Sequence, residues 1–273
     1  MKELQKRSIS GLLFAAVLLG AILWGPWSFA LLFAVFSAFI LREFYQLARV
    51  AGISPQKNVG ITLGLLLFSL TFLQIKGIIT VDLLGIFLAG LFVVPAFELY
   101  RAKKNSLENI AITIFGILYV VYPFSLFNHF VFPDATEGLK YDPTLFVFLF
   151  ILIWAYDSGA YLFGVTFGKH RLFERISPKK SWEGFFGGWL TAIVLALVLN
   201  HLFPKFETGF MLLLATIVTI TGTFGDLIES MIKRNLGVKD SGKFLPGHGG
   251  LLDRFDSIIF ASPFVYLLLY FMA

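Results

Sequence analysis

The feature that most constrains this chain is a series of nine long apolar runs. They lie at roughly 9–24, 27–47, 59–75, 78–97, 110–132, 144–167, 184–203, 208–229 and 254–272. A helix needs about 20 mostly apolar residues to cross a bilayer core. Most of the runs meet that length; the first and third are short and suit tilted or interfacial helices. Membrane strands do not fit, because barrels show short alternating segments rather than unbroken runs. The expected fold class is an all-α, polytopic integral membrane protein with about nine transmembrane helices. Composition agrees: only 14% of residues are charged and 58% are apolar, against about 25% charged in a soluble domain. A water-soluble enzyme and a disordered chain are both excluded. The absence of cysteine removes disulfides, Cys-based metal centres and a catalytic thiol. The first run follows Lys2, Lys6 and Arg7 with no small-residue cleavage site, so it is expected to stay in place as a span.

The basic residues set the orientation. Of the 22 Lys and Arg, 19 fall in loops on one side, and only Lys76, Lys140 and Lys205 fall on the other. The prediction is a cytoplasmic N-terminus and a C-terminus outside. The chain also changes character along its length. Residues 1–140, about five helices, read as a transmembrane scaffold. Residues 141–273 read as a catalytic region with cytoplasmic loops at 168–183 and 230–253, since acids enter the spans from Trp154 onward. There is no internal repeat, low-complexity tract or separate soluble domain.

Chemistry concentrates between Gly225 and Asp256. Residues three or four apart share a helix face, so Asp226, Glu229 and Lys233 line one stripe at the end of the eighth span. Asp253 and Asp256 share a face at the start of the ninth. A two-helix hairpin would bring these carboxylates together near the interface, where isolated charges are costly. Converging acids without Cys or a His cluster suit Mg²⁺ better than zinc. Between the helices, Gly237, Gly242, Gly247, Gly249 and Gly250 allow close backbone approach, and runs of free N–H groups cradle anions. Lys233, Arg234, Lys239, Lys243 and Arg254 add positive charge. Acids for a metal, with bases and glycines for phosphates, are the ingredients of metal-assisted phosphoryl or nucleotidyl transfer. A second loop, Ser177-Pro-Lys179-Lys180-Ser181-Trp-Glu-Gly184, starts with a Ser-Pro pair suited to a turn or helix start and carries two lysines suited to phosphate. Asp157, inside the sixth span, is a functional candidate as an intramembrane acid.

Bland readings stand beside these. Basic residues on one face follow from topology alone. Glu98-x-x-Arg101 reads as an end-of-helix pair, and Gly184, Gly187 and Gly188 as helix-packing positions. His129, His170 and His201 read as structural. No nucleotide-binding P-loop, zinc-protease or nucleophile-elbow motif is present, and the basic charge lies along a membrane face rather than forming a nucleic-acid patch.

The run Ser230-Met-Ile-Lys233-Arg234, four residues, Lys239-Asp240, then Pro246-Gly-His248-Gly249-Gly250, two residues, Asp253-Arg254-Phe-Asp256 closely resembles the signature of the phosphatidate cytidylyltransferase (CDP-diacylglycerol synthase) family. The resemblance covers 27 residues. The Ser177–Gly184 stretch looks like that family's second motif, where Thr often stands at Ser181. The resemblance implies a homodimeric enzyme of the cell (inner) membrane with its site facing the cytoplasm. It would make CDP-diacylglycerol and pyrophosphate from CTP and phosphatidic acid with Mg²⁺. On that footing Asp226, Asp253 and Asp256 are expected at the metal, and a second metal ion stays open. Lys233, Arg234, His248 and Arg254 are expected to join them in catalysis. Ser177, Lys179, Lys180, Ser181, Lys239, Asp240, Lys243, Gly249 and Gly250 are expected to bind substrate. Two rivals remain at this point: a CTP-dependent polyprenol or dolichol kinase, and a cation-coupled transporter using Asp157, Asp226 and Asp256 as a relay.

Overall fold

The computed structural model describes residues 2–132, 140–242, 244 and 249–272, with side chains from Ser10 onward. In chain order the helices are α1 (Lys2–Trp24), α2 (Pro26–Val50), α3 (Lys57–Ile75), α4 (Leu83–Arg101) and α5 (Ser106–Gly116). A π turn at Ile117–Val121 leads into α6 (Tyr122–Phe130), followed by α7 (Thr144–Phe167). Strands β1 (Arg171–Phe173) and β2 (Ser177–Ser181) precede α8 (Trp182–Leu202), α9 (Thr208–Asn235) and α10 (Leu252–Met272). Among the described residues, eight segments are long and apolar enough to cross a membrane: α2, α3, α4, the Ser106–Phe130 rod, α7, α8, α9 and α10. The first apolar run forms α1, whose described apolar part, Ser10–Trp24, is shorter. The protein is an all-α polytopic membrane protein.

Local chemistry sets the helix ends. Pro26 opens α2 at a position where a missing N–H costs nothing. Asp82 caps α4 by accepting the Gly85 N–H at 2.9 Å. The π turn lies just before Pro123, which has no N–H to give the preceding turn.

The chain divides into two compact units: residues 1–143 with 236–254, and residues 144–235 with 255–273. In the first, α2 packs against α1, α3 and α5. Phe29, Phe33, Phe124 and Phe127 are fully buried, with ring centroids 4.7 Å apart for Phe29–Phe33 and 4.8 Å for Phe124–Phe127. Where α4 ends, buried Glu98 accepts from Gln56 Nε2 at 2.6 Å, Arg101 at 2.7 Å and Asn109 Nδ2 at 2.8 Å. The expected Glu98–Arg101 pair is present, inside a larger network that also satisfies α3 and α5.

In the second unit, α7 and α8 lie against one another. A Cβ on Gly188 would stand 2.7 Å from the Tyr156 carbonyl, and one on Gly184 2.7 Å from that of Ala160. These glycines serve helix packing, as read from the sequence. The loop between the two helices is an antiparallel hairpin of β1 and β2. Ser177-Pro178 therefore lies in a strand, not at a helix start. The helix begins at Ser181, whose Oγ accepts the Gly184 N–H at 3.1 Å. Glu183 accepts the N–H groups of Lys169 at 3.1 Å and His170 at 3.2 Å, tying the hairpin to the helix.

Candidate active site

The second unit holds a cavity of about 500 Å³. Asp157 and Tyr161 of α7, Arg171 of β1, Lys179 and Lys180 of β2, and Asp226 of α9 line it. The hairpin thus brings three basic side chains to a pocket that Asp157 and Asp226 also line. Lys180 forms an ion pair with Asp226, so a basic and an acidic residue of the lining meet there. Ser230 donates to Asp226 Oδ1 at 3.2 Å from the next turn.

Behind Asp226, three carboxylates converge. Asp226, Glu229 and Asp256 offer oxygens that all lie within 4.8 Å of one another. The helices can approach because Gly225 has no side chain. A Cβ there would stand 2.5 Å from the Asp256 carbonyl and 2.9 Å from Phe260 Cβ. Glu229 is 1% exposed and pairs with Lys233 one turn on, itself 8% exposed. Asp256 is also buried, and its Oδ1 accepts the Ser257 N–H at 2.6 Å. Tyr156 closes the polar cluster. Its hydroxyl lies 2.5 Å from Thr223 Oγ1, which itself donates to the Thr219 carbonyl at 2.7 Å. The tyrosine is therefore the donor in that pair.

The donor set suits a hard divalent cation: carboxylate oxygens only, with no sulfur or imidazole. The two buried or half-buried ammonium groups limit the charge the acids carry together. Among the expected site residues, Asp226, Asp256, Lys180 and Lys233 come together in this unit, with Lys179 on the cavity wall. Ser181 caps α8, and Ser177 sits at the start of β2. Arg234 is exposed at the end of α9.

The remaining expected residues fold with the first unit. Asp253 opens α10 and accepts the N–H of Gly250 at 2.7 Å and of Ser241 at 3.1 Å. Lys239, Asp240 and Arg254 are exposed, and Gly249 has φ +84°, which a side chain would strain. Lys243 and His248 lie outside the described residues. Sequence reasoning placed Glu229 on the stripe of Asp226 but gave it no place at the metal. It passed over Glu43 of α2, whose carboxylate accepts the Leu252 N–H at 2.9 Å. The rule that singled out Asp157, an acid inside an apolar run, points equally to Glu43.

Residues 5–272 match the model of the cytidylyltransferase family. The chain belongs to that family. It is 33% identical to the phosphatidate cytidylyltransferase of Bacillus subtilis (strain 168) over 274 aligned positions, 98% of each chain. The phosphatidate cytidylyltransferase of Staphylococcus saprophyticus is 35% identical over 96% of this chain and 98% of its own. That of Staphylococcus epidermidis is 40% identical over 198 residues, 72% of this chain and 70% of its own. The chain is an enzyme of this family, which sets the transporter reading aside.

Proposed function

We propose that this enzyme joins CTP to phosphatidic acid, giving CDP-diacylglycerol and pyrophosphate. The observation that carries the reading is the convergence of Asp226, Glu229 and Asp256 beside a cavity walled by Arg171, Lys179 and Lys180. Relatives named for this reaction support it over the whole chain length.

In the reaction, a phosphatidate oxygen attacks the α-phosphorus of CTP. The new P–O bond forms in line with the bond to the β-phosphate, which breaks and releases pyrophosphate. A phosphate monoester loses its second proton near pH 6, so the nucleophile is already anionic and no strong general base is required. The chain's own work is therefore positioning and charge neutralisation. Lys180, Lys179 and Arg171 would receive triphosphate or lipid-phosphate oxygens, Lys180 passing from Asp226 to the substrate. Lys233 holds Glu229 in place within the cluster. Lys239, Lys243, Arg234 and Arg254 are assigned to the phosphates on the grounds of charge and motif, and His248 to a hydrogen bond on a phosphate or the leaving group. Asp226, Glu229 and Asp256 would hold Mg²⁺. Asp253 joins the proposal on sequence spacing, one turn before Asp256 on α10. Bound there, the ion would offset charge on the phosphates as pyrophosphate departs.

The cytoplasmic side is the proposed location of the site, from the distribution of basic loops. It suits both substrates, since CTP is water-borne and phosphatidate is fixed in the leaflet. Action as a homodimer is proposed on the family resemblance, and the mass of the detergent-purified protein tests it. Product analysis tests the reaction. Pyrophosphate and a nucleotide-linked lipid support it, whereas CDP and a phosphorylated lipid alcohol would assign the chain to the kinase reading instead.

A further inference from the structure

Glu43 sits in α2, a helix apolar enough to cross a membrane, and is 7% exposed. A carboxylate so placed needs partners, and Glu43 finds them in the glycine-rich segment of its own unit, about 200 residues away in sequence. Its Oε2 accepts the Leu252 N–H at 2.9 Å and lies 3.5 Å from the Ser241 hydroxyl. The segment is shaped around this side chain. A Cβ on Gly242 would come within 2.7 Å of Glu43 Cδ, and one on Gly250 within 2.6 Å of its Oε2. The backbone of Gly242 lies outside the left-handed region, so the missing side chain there reflects the space Glu43 fills and not a turn. Asp253 holds the same residues, accepting from the Ser241 and Gly250 N–H groups. Ser241, Gly250 and Leu252 are thus held by two carboxylates, and Glu43 is the one that comes from outside the motif.

We infer that Glu43 is a positioning residue for nucleotidyl transfer: it seats Ser241, Gly242, Gly250 and Leu252 and so fixes where Asp240, Asp253 and Arg254 stand. The inference rests on the functional reading above. It explains why a side chain with an acceptor oxygen stands inside an apolar run of the half of the chain that carries no motif. The role requires an acceptor oxygen at that place, not a charge, so Glu43→Gln should serve and Glu43→Ala should not.

Two measurements on the full-length protein in detergent test this. The first is hydrogen–deuterium exchange, which needs no activity. Glu43→Ala should raise exchange at Ser241, Gly242 and 250–252 and leave α7, α8 and α9 unchanged, while Glu43→Gln keeps the wild-type pattern. No change at those residues, or an equal rise throughout the helices, overturns the inference. The second is the kinetic coupling of Glu43 with Gly242. Gly242→Ala alone should lower kcat/KM for CTP about ten-fold. In the Glu43→Ala background it should cost nothing further, because the space is then free. Losses that simply multiply also overturn the inference, as does Glu43→Gln no better than Glu43→Ala. If the wild-type enzyme makes no pyrophosphate from CTP and phosphatidic acid, the functional reading fails, and the exchange result still decides whether Glu43 seats the segment.

Discussion

Replacing Gly225 by Ala should separate catalysis from stability at the carboxylate cluster. The added methyl would stand 2.5 Å from the Asp256 carbonyl and 2.9 Å from Phe260 Cβ. Ordinary C···O contact begins at about 3.3 Å and C···C contact at about 3.5 Å. Helices α9 and α10 must therefore part by roughly 0.6–0.8 Å. Asp226 is the next residue on α9, and Asp256 carries the carbonyl that is pushed, so the displacement falls directly on the cluster. A misplacement of about 1 Å can cost about 100-fold in rate, so kcat/KM should fall about 30- to 100-fold. Stability should change less. Overpacking costs about 1–3 kcal/mol, and Ala returns up to about 1 kcal/mol of helix propensity. Gly222→Ala is the control one turn earlier. Its Cβ would meet Ser257 Cβ at 3.5 Å, ordinary contact, so activity should hold. Steady-state pyrophosphate release and thermal unfolding in detergent would be followed for both variants. Wild-type kcat/KM in Gly225→Ala, or an equal loss in Gly222→Ala, would refute the argument that close approach at Gly225 assembles the site.

Other substitutions probe the supports. Lys180→Met removes the partner of Asp226 and should raise KM for CTP about ten-fold, with Lys180→Arg recovering most of it; a CTP titration decides. Ser181→Ala deletes the N-cap of α8 and should cost about 1 kcal/mol, which Ser181→Thr restores; unfolding midpoints of the three proteins test this. Glu98→Ala leaves buried Gln56 and Asn109 and half-buried Arg101 without their shared acceptor and should destabilise by about 3 kcal/mol. The protein that still folds should keep the wild-type kcat, and a lowered kcat there would place the Glu98 network in catalysis.

Hydropathy made the helices legible because membrane-spanning segments must satisfy their backbone internally, and that demands long apolar runs. The run at 110–132 was readable as one span, but not its π turn, which depends on how Pro123 disturbs the preceding turn. The hairpin was hidden because Ser-Pro and Lys-Lys suit a turn as well as a strand, and only the pairing of β1 with β2 distinguishes them. At the site, i,i+3 and i,i+4 spacing placed Asp226 and Glu229 on one face, and Asp256 on the facing helix. Which of these acids touch is a matter of interhelical approach at Gly225, not of spacing. Glu43 was open to notice as an acid inside an apolar run, but its contacts were not. Its partner Leu252 is 209 positions away, and no local pattern in α2 records what its carboxylate meets.

The most direct test of the central claim uses purified protein with phosphatidic acid micelles, Mg²⁺ and each of CTP, UTP, ATP and GTP in turn. Pyrophosphate and lipid-linked nucleotide would be scored together, with Asp226→Asn and Asp256→Asn beside wild type. The account predicts both products with CTP alone, and their loss in either variant. Folded protein that turns over no nucleotide, or that yields CDP in place of pyrophosphate, would contradict it.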